Sequence, residues 1–358
     1  MLGLRRQALV VEPARRGPEG LVARLRLGWS RPSIAIRVHE REPGAVDDPF
    51  VPIGLLLGMA TGRDVVVEGP VSEPLLASLD AVRADLAAWY PELHRPAFRA
   101  AAPVPAPPRA AGAQGIASFF SGGLDSFYTA ITHAQDITHL VFVHGFDVRL
   151  ADTKLRHEVA SRTAEAASEL GKPLLQVETD LRSVSDGRAN WAWFNHAGLI
   201  AVALELAPGF DEVLVPATLA DAHRPPELRG RIDRETWATS GCRIRTDGAE
   251  ATRPEKARVV GEQAAARSHL RVCWENRGGA YNCGHCPKCV RTLLDLEVAG
   301  VRERFASFPP GWDPTWIRDI PMPRRSERQF LEECLWMAEA EGRHELAELL
   351  QARIARGP

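Results

Sequence analysis

Ser121-Gly122-Gly123-Leu124-Asp125-Ser126 is the stretch that decides how this chain reads. The run Ile116 to Phe120 before it is short and apolar, as a buried strand is, and Phe127-Tyr128-Thr129-Ala130-Ile131 after it reads as the first turns of a helix. Two adjacent glycines let the backbone turn sharply and come close to a ligand. Successive N–H groups at such a turn face one concavity, and the helix dipole adds partial positive charge there. Ser121 and Ser126 add hydroxyls. Asp125 would repel a bare phosphate, so the expected arrangement has a cation, Mg²⁺, between the two. The stretch is expected to be a pyrophosphate cradle with a metal anchor. The alternative is a glycine-rich strand-to-helix turn without a ligand.

No Gly-Lys-Ser/Thr follows, so this is not a Walker loop. The sextet resembles the SGGxDS loop of the ATP pyrophosphatase (PP-loop) superfamily, whose enzymes split ATP into AMP and pyrophosphate. The resemblance implies ATP and Mg²⁺ on Ser121, Gly122, Gly123, Leu124, Asp125 and Ser126, with Ser121, Asp125 and Ser126 as the catalytic members.

Strands and helices alternate from residue 115 onward. Strand candidates are Ile116–Phe120, His139–Val143, Leu174–Glu178 and Glu212–Val215, with Cys242–Arg245 and Leu270–Cys273 as weaker ones; helices are expected near 125–134, 152–170 and 190–206. Short apolar strands of this kind fit an α/β fold with a doubly wound parallel sheet covered on both faces. In such sheets ligands bind beyond the carboxyl ends of the strands, where the cradle falls. The second strand ends in Val143-His144-Gly145-Phe146-Asp147. By the resemblance this edge receives adenine and ribose, with His144 and Gly145 beside them; from the residues alone it is equally an ordinary loop, with a hydrogen-bonded histidine. The helix holding Trp191, Trp193 and Phe194 reads as core, with Asn195 and His196 near its start as candidates to face the substrate.

A second signal is Cys273 followed by Cys283-Gly284-His285-Cys286-Pro287-Lys288-Cys289. Three cysteines at this spacing cannot all pair with one another, and with Cys273 they suit tetrahedral Zn²⁺. His285 is left outside a shell that four thiolates fill. The same spacing opens the bacterial iron–sulfur pattern, but Val290-Arg291-Thr292 lacks the next cysteine. Cys242 and Cys334 are left over.

Both signals together resemble the 7-cyano-7-deazaguanine synthase (QueC-like) branch of the superfamily, over about residues 115–300. It implies an adenine nucleotide alpha hydrolase-like PP-loop fold with a zinc-binding loop. It also implies an ATP-dependent carbon–nitrogen ligase that adenylates a carboxylate or amide for attack by ammonia or another nitrogen donor. The family has a Thr-Lys-x-Glu element where this chain has Thr252-Arg253-Pro254-Glu255, so Arg253 is a candidate contact for an ATP phosphate; helix capping explains Thr252 and Glu255 equally well. The family's acidic and aromatic segment is replaced here by residues 220–237. Guanidinium groups bind carboxylates in bidentate fashion, so Arg224 in that segment is a candidate substrate ligand, against a plain solvated loop. The substrate is expected to be a small carboxylate, with a 7-deazapurine as the family's example. The alternatives are PP-loop sulfur transfer and a catalytically idle nucleotide-binding or interaction module.

Outside this region, residues 1–100 read as a small α+β domain without a catalytic constellation. Strands are expected at Leu21–Leu27, Ser33–His39 and Val65–Glu68, with a helix from Leu75 to Trp89. Residues 1–41 carry nine arginines and three acids. This is either a solvated sheet face or a site for an anionic partner, and a protein partner is one role for the domain. Residues 101–114 read as an Ala/Pro linker, 115–310 as the nucleotide domain and 311–358 as a helical hairpin that docks on a domain or a partner. The chain has 358 residues, 45% apolar and 25% charged, ordinary for a globular protein. Its net charge of -2 argues against general nucleic-acid binding. Lysine occurs four times among 44 basic residues, which reads as composition bias toward arginine. No apolar run reaches membrane length, Arg5-Arg6 precedes too few apolar residues for a signal peptide, and six cysteines make no secreted scaffold. A cytoplasmic protein is expected, with a homodimer as its assembly.

Overall fold

Eleven strands and eleven α-helices are assigned in the described residues of the computed structural model, which are 7–39, 46–110, 112–222, 237, 241–322 and 325–357. The strands form one mixed, mostly parallel sheet flanked by helices. In chain order they are β1 (Leu9–Val11), β2 (Arg15–Gly17), β3 (Gly20–Leu27), β4 (Ser33–Val38), β5 (Val65–Ser72), β6 (Phe98–Val104), β7 (Ile116–Phe119), β8 (Ile137–His144), β9 (Leu174–Thr179), β10 (Glu212–Pro216) and β11 (Arg243–Asp247). Their spatial order is β11-β10-β7-β8-β9-β4-β3-β1-β5-β6, with β2 added beside β3.

The five strands from β7 to β11 run parallel. From β7 the chain steps outward to β8 and β9 on one side, then returns to place β10 and β11 on the other. The order therefore reverses between β7 and β10, the position at whose carboxyl ends sheets of this kind bind ligands. Alternate residues point to opposite faces. Ala117, Phe119, Val141, Val213 and Val215 pack with α6 (Trp191–Leu206). Phe120, Leu140 and Leu214 pack on the other face with α3 (Leu124–Thr132), α4 (Thr153–Glu169), α7 (Arg253–Gly261) and α8 (Ala264–His269). Both faces are apolar because both are covered.

Residues 1–100 share this sheet. β4 pairs antiparallel with β9, Ile36 opposite Thr179 and Val38 opposite Val177, and the Ala35 N–H donates to Asp180 Oδ1 at 2.8 Å. Helix α1 (Phe50–Thr61) packs on α6, and the two halves contribute to one continuous core. Helix α2 (Glu73–Trp89) covers β5 and β6. The expected linker at 101–114 begins inside β6, which pairs parallel with β5 at the end of the sheet. An edge strand tolerates Pro103.

The weak strand at Leu270–Cys273 is not formed. The Arg271 N–H instead donates to Gly122 O at 2.8 Å, and the N–H groups of Val272 and Cys273 donate to Asn282 Oδ1. At the chain's end, α9 (Pro287–Val298) packs with α10 (Arg325–Ala340), and α11 (His344–Ala355) folds back on α10. The hairpin docks on α7 and α9 of the same chain. No helix among the described residues is long and apolar enough to cross a membrane.

One shared sheet and core should unfold as one unit. Scanning calorimetry of the full chain is expected to show a single transition, and a chain starting at residue 105 should be insoluble because β9 would lose its partner. Two separate transitions would mean that the halves are independent.

Candidate functional site

The cradle stands at the carboxyl end of β7, beside the reversal of strand order. Gly122 has φ +72°, the left-handed backbone that favours glycine, while a Cβ there would meet nothing nearer than 3.9 Å. Gly123 is the N-cap of α3 and offers no side chain to the first-turn N–H groups of Leu124, Asp125 and Ser126. A helix leaves those donors without partners inside itself. Ser126 Oγ donates to Gly123 O at 3.0 Å, and Ser121 Oγ lies 3.5 Å from Ser126 Oγ. The loop is thus held in place with its donors open, a geometry suited to an anion.

Asp125 faces a set of cations. Arg253 Nη1 donates to both of its oxygens, at 2.9 and 2.8 Å, and Lys256 Nζ lies 3.9 Å from Oδ1. Arg253 is fixed from behind: Nε donates to Asp295 Oδ2 at 2.8 Å, Nη2 to Thr292 Oγ1 at 3.1 Å, and the backbone N–H to Glu333 Oε2 at 3.2 Å. Lys256 is fully buried and donates to Ala217 O at 2.6 Å. The Arg291 guanidinium lies 3.9 Å from the centre of the Phe330 ring. Burial alone would raise the Asp125 carboxyl, but Arg253, Lys256, Arg291 and Lys288 together hold it below its ordinary value. Burial pushes Lys256 down, and it pushes Arg291 down to about 10.

These partners come from three helices. The capping box expected at Thr252 and Glu255 is present, and it starts α7 so that Arg253 and Lys256 lie one turn apart, both buried. Helix α9 brings Arg291, Thr292 and Asp295. Helix α10 brings Phe330 and Glu333. Glu333 Oε1 also receives the Ala220 N–H at 3.4 Å, and Gln329 Nε2 donates to Ala220 O at 3.0 Å. The carboxy-terminal hairpin therefore holds the start of the segment that follows β10. Lys256, Asp295, Phe330 and Glu333 escaped the sequence reading. Lysine scarcity was the available signal for Lys256, because two of only four lysines stand here.

The four cysteines come together. All are buried and their sulfurs lie within 4.8 Å of one another, so they could hold a metal ion. Backbone N–H groups of Asn276, Cys286 and Cys289 point at the sulfurs of Cys273, Cys283 and Cys286, at 3.3 to 3.4 Å. Such donors favour thiolates. Cys286 also caps α9, so the knot sets the start of the helix that carries Arg291 and Asp295.

Other expected residues find structural partners. Gly145 has φ +95°, and a Cβ there would lie 1.9 Å from Thr179 O, so glycine lets β8 end against β9. His144 is buried, with Nε2 2.8 Å from Gln176 Oε1, and burial lowers its pKa. Its ring is hydrogen-bonded within the sheet. Asn195 Nδ2 donates to Trp191 O at 2.9 Å, and burial pushes His196 down to about 4. Arg224 lies outside the described residues.

Searches against protein-family models, curated proteins and solved structures found no match.

Asp295 is fully buried, and its loss would leave the Arg253 charge half-paired. Asp295→Ala is expected to destabilise the fold by about 3 kcal/mol or more, the range for breaking a buried pair. Urea unfolding measures this. A midpoint equal to that of the unaltered protein would remove Asp295 from the network.

Proposed function

We propose that this chain is an ATP-dependent, AMP-forming ligase of the PP-loop type, related in chemistry to the 7-cyano-7-deazaguanine synthases. One observation carries the reading: a glycine turn with open first-turn N–H groups stands at the reversal point of a parallel sheet, beside buried cations. In the reaction, a substrate carboxylate or amide oxygen attacks the α-phosphorus of ATP. The bond to the β-phosphate oxygen breaks and pyrophosphate leaves. Nitrogen, from ammonia or another donor, then attacks the acyl adenylate, loses a proton and expels AMP. The loop N–H groups, Lys256 and Arg291 would stabilise the charge that develops on the departing pyrophosphate.

Zn²⁺ is the ion we infer for the cysteine knot. A tetrahedral ion with bonds near 2.3 Å needs sulfurs about 3.8 Å apart. Cys273 Sγ and Cys286 Sγ are 3.9 Å apart. An iron–sulfur cluster is a larger body and would spread the sulfurs farther. When bound, the ion would be structural, since four thiolates leave no open position for chemistry.

Sulfur transfer finds less support. It needs a reactive thiolate, and the two cysteines outside the knot are buried. Burial pushes the Cys242 thiol up to about 12 and, with Asp295 beside it, raises the Cys334 thiol well above its ordinary value.

The decisive assay is pyrophosphate and AMP release over a panel of carboxylates with ammonia present, run in parallel with a sulfur donor. Equal amounts of AMP and pyrophosphate are expected with at least one acid. Lys256→Met should then lower kcat by about 100-fold, the usual effect of losing one transition-state donor. Turnover only with the sulfur donor would favour the alternative chemistry.

Elemental analysis should find about one zinc per chain, as four thiolates require. Cys286→Ser should lower the melting temperature. A brown protein that contains iron would show the wrong metal was inferred.

A further inference from the structure

The groups around Asp125 do not suit a magnesium ion, and the inference drawn from this rests on the nucleotide reading above. We propose that Asp125 is an internal counter-ion that positions Arg253. The cradle then takes the polyphosphate of a nucleoside triphosphate on the chain's own cations, with no divalent metal on the Asp125 carboxylate.

Mg²⁺ demands six oxygens in near-octahedral array and strips poorly from water. Both Asp125 oxygens already accept from one guanidinium nitrogen, and an ammonium lies 3.9 Å away. Arg253 cannot swing aside to free them. Asp295, Thr292 and Glu333 hold it at three other points, and its side chain is 3% exposed. A guanidinium is planar and permanently charged, so neither rotation nor deprotonation opens the carboxylate. A divalent ion at Asp125 would stand against two fixed positive charges.

The neighbouring carboxylates are engaged as well. Asp295 accepts from Arg253, Glu333 from two backbone N–H groups and Gln329, Glu250 from Tyr128, and Asp247 from Thr129 and Arg245. Using any of these carboxylates in a metal shell would take it from its present partner. The cations, by contrast, have donors to spare. Arg291 Nε is buried with no hydrogen-bond partner. Lys256 carries three N–H donors, of which Ala217 O takes one. Phe330 backs both Arg291 and, at 5.9 Å, Arg253, so the guanidinium groups are held as a rigid wall. Unspent cationic donors beside open helix N–H groups suit an anion with many acceptor oxygens, which a polyphosphate is.

The test is binding of α,β-methylene-ATP by titration calorimetry. Buffer is freed of divalent ions over chelating resin, so that no dissolved chelator strips the cysteine knot, and the titration is repeated with Mg²⁺ added. The expected result is a Kd without Mg²⁺ within about threefold of that with it. Asp125→Asn keeps the side chain's shape but removes the charge that holds Arg253. It should weaken binding about tenfold, equally in both buffers. Mn²⁺ added alone and followed by electron paramagnetic resonance should show no bound ion that this variant removes. Binding that needs Mg²⁺, with a bound Mn²⁺ signal lost in Asp125→Asn, would overturn the proposal and leave the nucleotide reading standing. No binding in either buffer would overturn both.

Discussion

The paired charges Asp125, Arg253 and Asp295 are the constraint to which most of the second half of the chain is fitted. Charges of this kind are costly to bury, and they are tolerated only when geometry is good and every remaining donor is met. Here Thr292, Glu333 and the cap of α7 meet them. Satisfying them requires four elements to arrive together: α3 with Asp125, α7 with Arg253, α9 with Asp295 and α10 with Glu333. Removing any one leaves a buried group short of one of its partners. The network therefore specifies how these helices are arranged more than it adds to net stability. It also ties the carboxy-terminal hairpin to the cradle, which apolar contacts between helices would not do with the same precision.

A second constraint comes from the sheet. A parallel sheet that stopped at β9 would present an unpaired edge there. This chain covers that edge with β4, running antiparallel, and continues outward to β6. Asp180, at the end of β9, accepts the Ala35 N–H and fixes the seam. Burial is the main influence on its carboxyl, and it raises the pKa. The described residues among 1–100 thus supply no group to the cradle but close the sheet on the side of β9, and α1 completes the apolar face on which α6 lies. Trp29 stands fully exposed at the β3–β4 turn, away from this shared core.

The parts of this architecture that were legible in the sequence are those with a local signature. The strand, glycine turn and helix around residue 121 announce themselves by order; the Thr252 box by spacing; the cysteines by type. Helix α1 was missed because Phe50–Thr61 is apolar on all sides, so it has no period to read, as a buried helix need not. Strand β6 was missed because alanine and proline at an edge resemble a linker. The site's partners were missed for a different reason. Asp295 and Glu333 lie 170 and 208 positions beyond Asp125 in the chain, and each belongs to a helix whose pattern is ordinary. Only the fold makes them neighbours. Arg253 was singled out by spacing, but its role as a partner of Asp125 depends on the same distant contacts.

The cysteine knot lies next to the cradle in space although it is far from it in sequence. The Arg271 N–H, two residues before Cys273, donates to Gly122 O at 2.8 Å, and Arg271 O lies against Gly123. On the other side, Asn276 Nδ2 donates to Asp147 O at 2.8 Å, and Lys288 Nζ reaches Asp147 Oδ2 at 3.4 Å. Asn276 sits at φ +52°, a backbone state that costs a non-glycine residue something, and its side chain is held there by Asp147 and by Arg271 at 2.7 Å. The knot is thus bonded to the end of β8 and to the turn after β7, while its own Cys286 starts α9. The two segments that carry the four cysteines also pack into the apolar core under α3, α7 and α8. A metal ion that fixes the sulfurs fixes the Arg271 and Asn276 backbone as well, and through them the spacing between the two strand ends where a nucleotide would lie. The cysteine cluster is thus coupled in structure to the cradle.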